Sequence, residues 1–423
     1  MPPSAAYPRT VLIVTQYFWP EPSAPSVRYA AIIRTLRSLG VSVHVITGVP
    51  SYPSGRVAKG YRPIGFQAED HEGAHIQRFP LLPYGGANKW LRLLNHGSLA
   101  TTSMFGALRG VRCDLVIAES PPLPLAISGI AHARRAGVPL VLYVADKWPD
   151  VAIEMGALHE GWVAARLRDM ESFAYRSAWR IAVPTDGLFA RLAAHRDAGP
   201  AKTTLLPNGV DPAVFHPMDA SDPEAVRALG DLAGRALFMY AGTIGQAQAL
   251  ATIVDAAALV RGDPTIGFAL VGDGPERARL EERARALGLD NIRFVGAVPP
   301  DRVAAYLAFA RATIAPLRDV ALFVATRPAK VLPSLACARP VIFCGRGEMA
   351  AFIEREGCGI AVAPEDPAAL AAAIRRLAAD EAGARAMGER GRAWAVREFD
   401  FGAIVRRWWD ALSAALPPRA RGT

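Results

Sequence analysis

Cysteine is scarce in this chain: Cys113, Cys337, Cys344 and Cys358 are the only four in 423 residues. No CxxC pair occurs, so neither a zinc site nor a disulfide framework is indicated. Reduced, buried thiols are the expectation, as suits a cytosolic compartment. Long apolar runs are missing too. None reaches the ~20 residues that a membrane-spanning helix needs. "DLVIAESPPLPLAISGIAHA" comes nearest, but Asp114, Glu119 and three prolines interrupt it. The opening "MPPSAAYPRTVLIVTQYFWP" lacks the long apolar centre of a signal peptide. A soluble or membrane-peripheral protein is predicted. GxSxG is absent, as are a Walker GK[ST] and a GxGxxG, which removes the motif-based cases for serine hydrolysis and P-loop chemistry.

Acid is missing from two particular stretches. Residues 320–347 contain no carboxylate but hold Arg327, Lys330, Arg339 and Arg346. Residues 79–112 contain none either, and they combine Trp90, Leu91, Leu94, Met104, Phe105 and Leu108 with Lys89, Arg92, Arg109 and Arg112. Such a mixture suits a membrane interface, and a core helix packed on a sheet accounts for it equally well. The whole chain carries +9, and residues 1–200, with 21 Lys/Arg against 14 Asp/Glu, hold seven of those charges. Basicity of that size attracts nucleic acid, anionic lipid or phosphorylated substrates without choosing among them.

What is present is an alternation of strand and helix signals. "TVLIVTQ" (10–16), "VSVHVIT" (41–47), "DLVIAES" (114–120), "PLVLYVA" (139–145) and "RIAVPT" (180–185) read as strands with helical patterns between them. "TTLLPNGVDPAVFHPMD" reads as a last strand and a linker. The alternation then restarts with "ALFMYAGTIG" (236–245), "IGFALVGDG" (266–274), "NIRFVGAV" (291–298), "ATIAPL" (312–317), "PVIFCG" (340–345) and "GIAVAP" (359–364). Strands apolar on both faces indicate parallel sheets covered by helices. The fold class is therefore α/β, with two tandem Rossmann-like doubly wound domains facing an interdomain cleft. The predicted spans are 1–205, 206–398, and a helix and tail at 399–423 that packs back on the first domain.

Three segments have the composition of a site. In "YAGTIGQAQAL", Gly242 and Gly245 permit a tight turn, and a helix opening there favours an anion. An ordinary strand–helix turn accounts for the same residues. In "TRPAKVLPSLACARPV", Pro333 fits the first turn of a helix that starts after Lys330, so a helix of about two turns over 331–338 is predicted, its N-terminus open between Arg327 and Lys330. Dipole plus cations describes a diphosphate site, and solvated basic residues at a surface helix describe the alternative. In "YVADKWPDVAIEMGAL", Asp146 lies just past a strand end, facing the inferred cleft or pairing with Lys147 or Arg168.

These residues, with "GEMAAFIEREGCGIAVAPEDPAALAAAI", resemble the retaining family-4 glycosyltransferases of the GT-B fold over almost the whole chain. "QYFWPE", "GVPSYPSGRVAKGY", "ESPPLPLAISGIA" and "DKWPDVAIEMGAL" are similar to a bacterial surface-polysaccharide branch that includes N-acetyl-L-fucosamine transferases. The resemblance implies transfer, with retention, of an N-acetylated amino or deoxy sugar from a UDP-sugar to a polyprenyl-diphosphate-linked saccharide. The implied setting is O-antigen, capsule or exopolysaccharide assembly in the cytoplasm, peripheral at the inner membrane. No metal, cofactor or nucleic acid is implied. Asp146, Arg327 and Lys330 take the catalytic positions. Gly242, Thr243, Ile244, Gly245, Gln246, Gln248, Gly272, Val298, Val331, Leu332 and Glu348 take the donor-binding ones, and Tyr17, Glu21 and Arg28 the acceptor-binding ones. The pattern departs from the broader family where a pair of glutamates falls on Ala325 and Pro333, where an arginine and a lysine fall on Thr243 and near Gln248, and at Lys147, where the branch has leucine. A non-catalytic GT-B partner protein and a nucleotide-sugar epimerase are the alternatives.

Overall fold

The computed structural model describes residues 8–21, 23–86, 88–154, 158–320, 323–324, 328 and 330–417. The chain divides into two units. Residues up to Asn208 group with those from Phe401 on, and Gly209–Asp400 form the second unit.

In the first unit the strands are β1 (Thr10–Val14), β2 (Ser42–Gly48), β3 (Gln67–His71), β4 (Ala74–Phe79), β5 (Leu115–Ser120), β6 (Leu140–Val144), β7 (Arg180–Val183) and β8 (Thr203–Leu205). They lie in the order β3-β4-β2-β1-β5-β6-β7-β8, parallel except for the β3–β4 pair. Leu12, Val14, Val116, Ala118, Leu140 and Leu142 pack beneath the helices on one face. The intervening Val11, Ile13, Ile117, Val141 and Tyr143 are as deeply buried, which is why these strands read as continuous apolar runs. The helix Phe401–Ala414 belongs to this unit and packs on the helix Ala24–Ser38, with Trp408 Nε1 donating to Thr204 Oγ1 at 3.3 Å.

The β3–β4 hairpin escapes the sequence reading. Its loop is Glu72-Gly73, with φ of 47° and 77°, as a two-residue turn of this hand demands.

In the second unit the strands are β9 (Ala236–Ala241), β10 (Ile266–Val271), β11 (Ile292–Gly296), β12 (Ala310–Pro316), β13 (Val341–Cys344) and β14 (Gly359–Val362), all parallel, in the order β11-β10-β9-β12-β13-β14. Phe238 and Tyr240 feed one core, with Ile253, Val254, Leu370 and Ile374. Leu237 and Met239 feed the opposite core, with Leu229, Leu307 and Leu332. Both faces of β9 are therefore covered. The four cysteines are free and buried.

In each sheet the strand order reverses once, between β1 and β5 and between β9 and β12. Doubly wound sheets bind ligands at that reversal, beyond the carboxyl ends of the strands.

Candidate functional site

The chain leaving β9 enters the 242–248 turn, which interlocks with the turn after β10. Gly242 and Gly272 hold φ of 147° and 143°, where side chains are rarely tolerated. A Cβ on Gly272 would lie 1.9 Å from the Gly242 carbonyl oxygen, and one on Gly274 2.4 Å from that of Ile244. The Gly242 N–H donates to Val271 O at 2.9 Å, and the Ile244 N–H to Asp273 O at 2.9 Å. The N–H groups of Thr243, Gly245 and Gln246 have no acceptor among the described residues. Successive unpaired backbone N–H groups in a turn suit an anion. The helix expected to open directly from this turn begins later, at Ala251. A short 3-10 turn, Gln246–Gln248, comes first, and Ala249 at φ 46° separates the two.

Lys330 joins this turn. Its Nζ donates to Tyr240 Oη at 2.8 Å and lies 4.2 Å from the centre of the Tyr240 ring. Tyr240 Oη in turn donates to the Thr243 carbonyl at 2.5 Å. A Cβ on Gly242 would touch Lys330 Cε at 3.6 Å. No carboxylate among the described residues pairs with Lys330. Burial pushes its ammonium down to about 7 from the ordinary 10.5, because a cation stripped of water and left without a counter-charge favours its neutral form. Arg318, on the loop after β12, donates its backbone N–H to Ala247 O at 3.1 Å. Its guanidinium is exposed and has no carboxylate partner among the described residues.

The helix after Lys330 is shorter than the sequence predicts: Val331–Ala336 rather than 331–338. Cys337 and Ala338 leave the helical path, Ala338 at φ 54°. Its N-terminus is also less open than expected. The Val331 N–H is taken by Pro328 O at 3.1 Å, and Pro333 has none to give. Six residues and few free donors leave little for a helix dipole to do here, so the positive character of the site rests on the lysine and the glycine turn. Val331 and Leu332 point their side chains into the core. Ile244 is likewise buried and holds the two turns together. Val298, just beyond β11, is half-buried against the core, and Glu348 is exposed at the start of the helix Glu348–Glu356. Arg327 and Ala325 lie outside the described residues.

In the first unit the strand-order reversal holds a buried ion pair. Glu119, at the end of β5, accepts from Thr15 Oγ1 at 2.6 Å and from Arg28 Nη1 at 3.0 Å. Arg28 also lies 4.4 Å over the Tyr143 ring and donates from Nε to Asn208 Oδ1 at 3.2 Å. Asp146, two residues past β6, is exposed and has no hydrogen-bond partner among the described residues. Sequence proximity made Lys147 and Arg168 its candidate partners. Both instead go to Asp150, one helical turn on, with Arg168 Nε at 3.2 Å. Although Asp146 keeps surface in solvent, the protein packed around its carboxyl strips away part of its water and raises it above the usual range, and the nearby Arg28 cation works the other way. An unpaired, perturbed carboxylate beyond a strand end is a candidate for chemistry.

Glu21 serves the loops. Its carboxylate accepts from the backbone N–H groups of Ser51 and Tyr52, each at 2.8 Å, and of Phe18 at 3.3 Å. Burial raises it to about 7. Tyr17 is half-buried, its ring 5.1 Å from that of Tyr52. The structure thus gathers Lys330, Gly242, Thr243, Gly245, Gln246 and Gly272 in one place, and Arg28 and Asp146 in another. Tyr240 and Arg318 were missed. Tyr240 reads as one more apolar strand residue, and Arg318 becomes visible only once β12 is known to neighbour β9.

Known proteins match along most of this chain. The Glycosyl transferase 4-like domain matches residues 23–209, and Glycosyl transferases group 1 matches residues 235–380. The putative colanic acid biosynthesis glycosyl transferase WcaI of Escherichia coli (strain K12) is 27% identical over 354 residues, covering 82% of this chain and 86% of the relative. Among solved structures, sucrose-phosphate synthase from Thermosynechococcus elongatus superposes with a TM-score of 0.73 at 19% identity, over 96% of this chain and 100% of the other. Anabaena HepE in complex with UDP and glucose does so with a TM-score of 0.68 at 17% identity, over 96% and 99%.

Proposed function

Because this chain belongs to the family-4 glycosyltransferases of the GT-B type, we propose that it moves a sugar from a UDP-sugar to a lipid-linked saccharide in bacterial surface-polysaccharide assembly. The sugar assigned is an N-acetylated amino or deoxy hexose, transferred with retention at the anomeric carbon. The observation that carries this reading is Lys330: a half-buried lysine with no carboxylate partner among the described residues, beside a glycine turn with unpaired N–H groups. That arrangement lacks only the negative charge that a nucleotide diphosphate brings. The HepE complex with UDP and glucose and the colanic acid name of WcaI support the same donor class and pathway class.

In this reading the second unit takes the donor and the first unit the acceptor. The bond between the anomeric carbon and the diphosphate breaks as the acceptor oxygen bonds to that carbon. The acceptor's proton leaves toward the departing phosphate oxygen. Lys330 and the turn's N–H groups stabilise the charge that develops on the leaving diphosphate, with Arg327 proposed as a second cation. Asp146 orients sugar hydroxyls at the reacting centre. The diphosphate charge is met by these groups, so transfer is expected to persist in excess EDTA.

Peripheral attachment at the inner membrane is part of the proposal. In the helix Lys89–Gly106, Leu99 and Ser103 are buried, while Trp90, Leu91, Leu94 and Phe105 are exposed, with Leu108 just beyond. The exposed Arg92 and Arg112 suit anionic headgroups. Among the described residues no helix is long and apolar enough to cross a membrane.

Mass spectrometry of products from a UDP-sugar panel with a lipid-linked GlcNAc analogue tests the activity. Lys330→Ala should lose transfer with the fold intact, and full activity in that variant would overturn the site. UDP binding without turnover on any acceptor would select the non-catalytic alternative.

A further inference from the structure

Two surface loops in the first unit are held in place by buried charges. The loop after β1 carries Trp19 and the loop after β2 carries Tyr52. Glu21, 5% exposed, gathers N–H groups from both loops. Arg78, on β4 and wholly buried, donates to the carbonyls of Gly48 and Trp19 while pairing with Glu69. Burying charged groups is costly even when they are satisfied. Here the burial orders two loops whose most prominent product is a pair of exposed aromatics, Trp19 at 39% and Tyr52 at 40%.

Each ring is backed on one side. Trp19 stacks on His71, with centroids 3.9 Å apart and planes 14° apart, and Tyr52 leans on Tyr17. The remaining surface of each is exposed. Aromatic faces carry negative charge density that attracts the C–H-lined face of a pyranose, and rigid Trp and Tyr side chains bind with little entropy loss. The loop after β2 adds charge. Residues 49–68 contain no acid, and the exposed Arg56, Lys59 and Arg62 have no carboxylate partner among the described residues. An open pocket of about 460 Å³ lies along the same segment, lined by Tyr61, Arg62 and Phe66 and also by Glu69, whose carboxylate is paired with Arg78. Both loops leave the carboxyl ends of strands next to the β1–β5 reversal, where such sheets bind ligands.

We propose that these loops form a saccharide subsite, in which Trp19 and Tyr52 take a pyranose face and Arg56, Lys59 and Arg62 take an anionic ester on the same molecule. The inference rests on the glycosyltransferase reading and locates its acceptor. Saturation-transfer NMR with methyl N-acetylglucosaminide and with GlcNAc 1-phosphate tests it without requiring turnover. Wild-type protein should saturate the ring protons of both, and the phosphate ester should bind more tightly. Trp19→Ala with Tyr52→Ala should abolish both signals, Trp19→Phe should restore most of them, and Arg56→Glu with Lys59→Glu should remove only the preference for the ester. UDP affinity, measured on the same samples, should not move. Absence of saturation in the wild type, signals that survive the aromatic double substitution, or UDP affinity lost along with them would each overturn the subsite. A chain that binds these sugars but neither binds UDP nor transfers would instead sink the glycosyltransferase reading and leave the subsite standing.

Discussion

Isothermal titration of UDP into the protein at mildly alkaline pH should show about one proton taken up from the buffer for each UDP bound. The free Lys330 ammonium is brought to about 7 by burial. A bound diphosphate supplies the opposite charge and returns the group toward its ordinary range. Only the charged lysine complements the diphosphate, so as pH rises through 7 more of the free protein must acquire a proton before binding, and affinity falls. Above about pH 7.5 the terminal phosphate of UDP has lost its second proton, which leaves the lysine to set the slope. With a free value of 7 and a bound value above the range tested, affinity should fall roughly 25-fold from about pH 7.5 to about pH 9, ~1.9 kcal/mol. Titrations in buffers of different ionisation enthalpy give the proton number directly. Lys330→Arg keeps its charge throughout this range, so it should bind UDP without the slope. Zero proton uptake in the wild type, or the same slope in Lys330→Arg, would refute the reasoning.

Gly272→Ala sets a methyl group against the Gly242 carbonyl, 1.9 Å away, with backbone on both sides and nothing flexible to yield. Urea unfolding should show a loss of about 3 kcal/mol or more, accompanied by weaker UDP binding. Glu21, raised to about 7 in the folded chain, holds more protons folded than unfolded between the two pKa values. Stability should therefore decline as pH climbs from about 4.5 to about 7, by up to ~3 kcal/mol, and Glu21→Gln should flatten that slope in thermal melts. Anionic vesicles should sediment the protein at low salt and release it at high salt. Trp90→Glu with Phe105→Glu should prevent sedimentation, and failure of the wild type to bind at low salt would refute the membrane proposal.

Much of the fold is legible in the sequence because its strands are buried on both faces. Runs such as Val11–Val14 and Phe268–Val271 keep no polar alternation, so they announce a covered parallel sheet before any pairing is known. The β3–β4 hairpin stays hidden for the opposite reason. As an edge element it mixes exposed Ala68 and Asp70 with partly buried Gln67 and Glu69, and no apolar period survives. The glycine turn is legible as a turn, but its helix is displaced by the left-handed Ala249, a conformation that an alanine does not advertise. The Asp146 region misleads for a geometric reason. Adjacency suggests Lys147, whereas helical spacing delivers that lysine to Asp150. Lys330 is visible as a cation without acid nearby, but its attachment to Tyr240 requires the pairing of β9 with β12 to be known.

The buried Arg78 has a consequence for protein engineering. It reads the backbone of one loop and the end of one strand while sitting on another, and its carboxylate partner, Glu69, belongs to the edge hairpin. Loop exchange between relatives treats the segment after β1 as a portable piece. In this chain that piece would arrive without its anchor unless everything from Thr15 to Phe79 travelled with it. The smallest unit that can be transplanted is therefore not a loop but three strands' worth of chain.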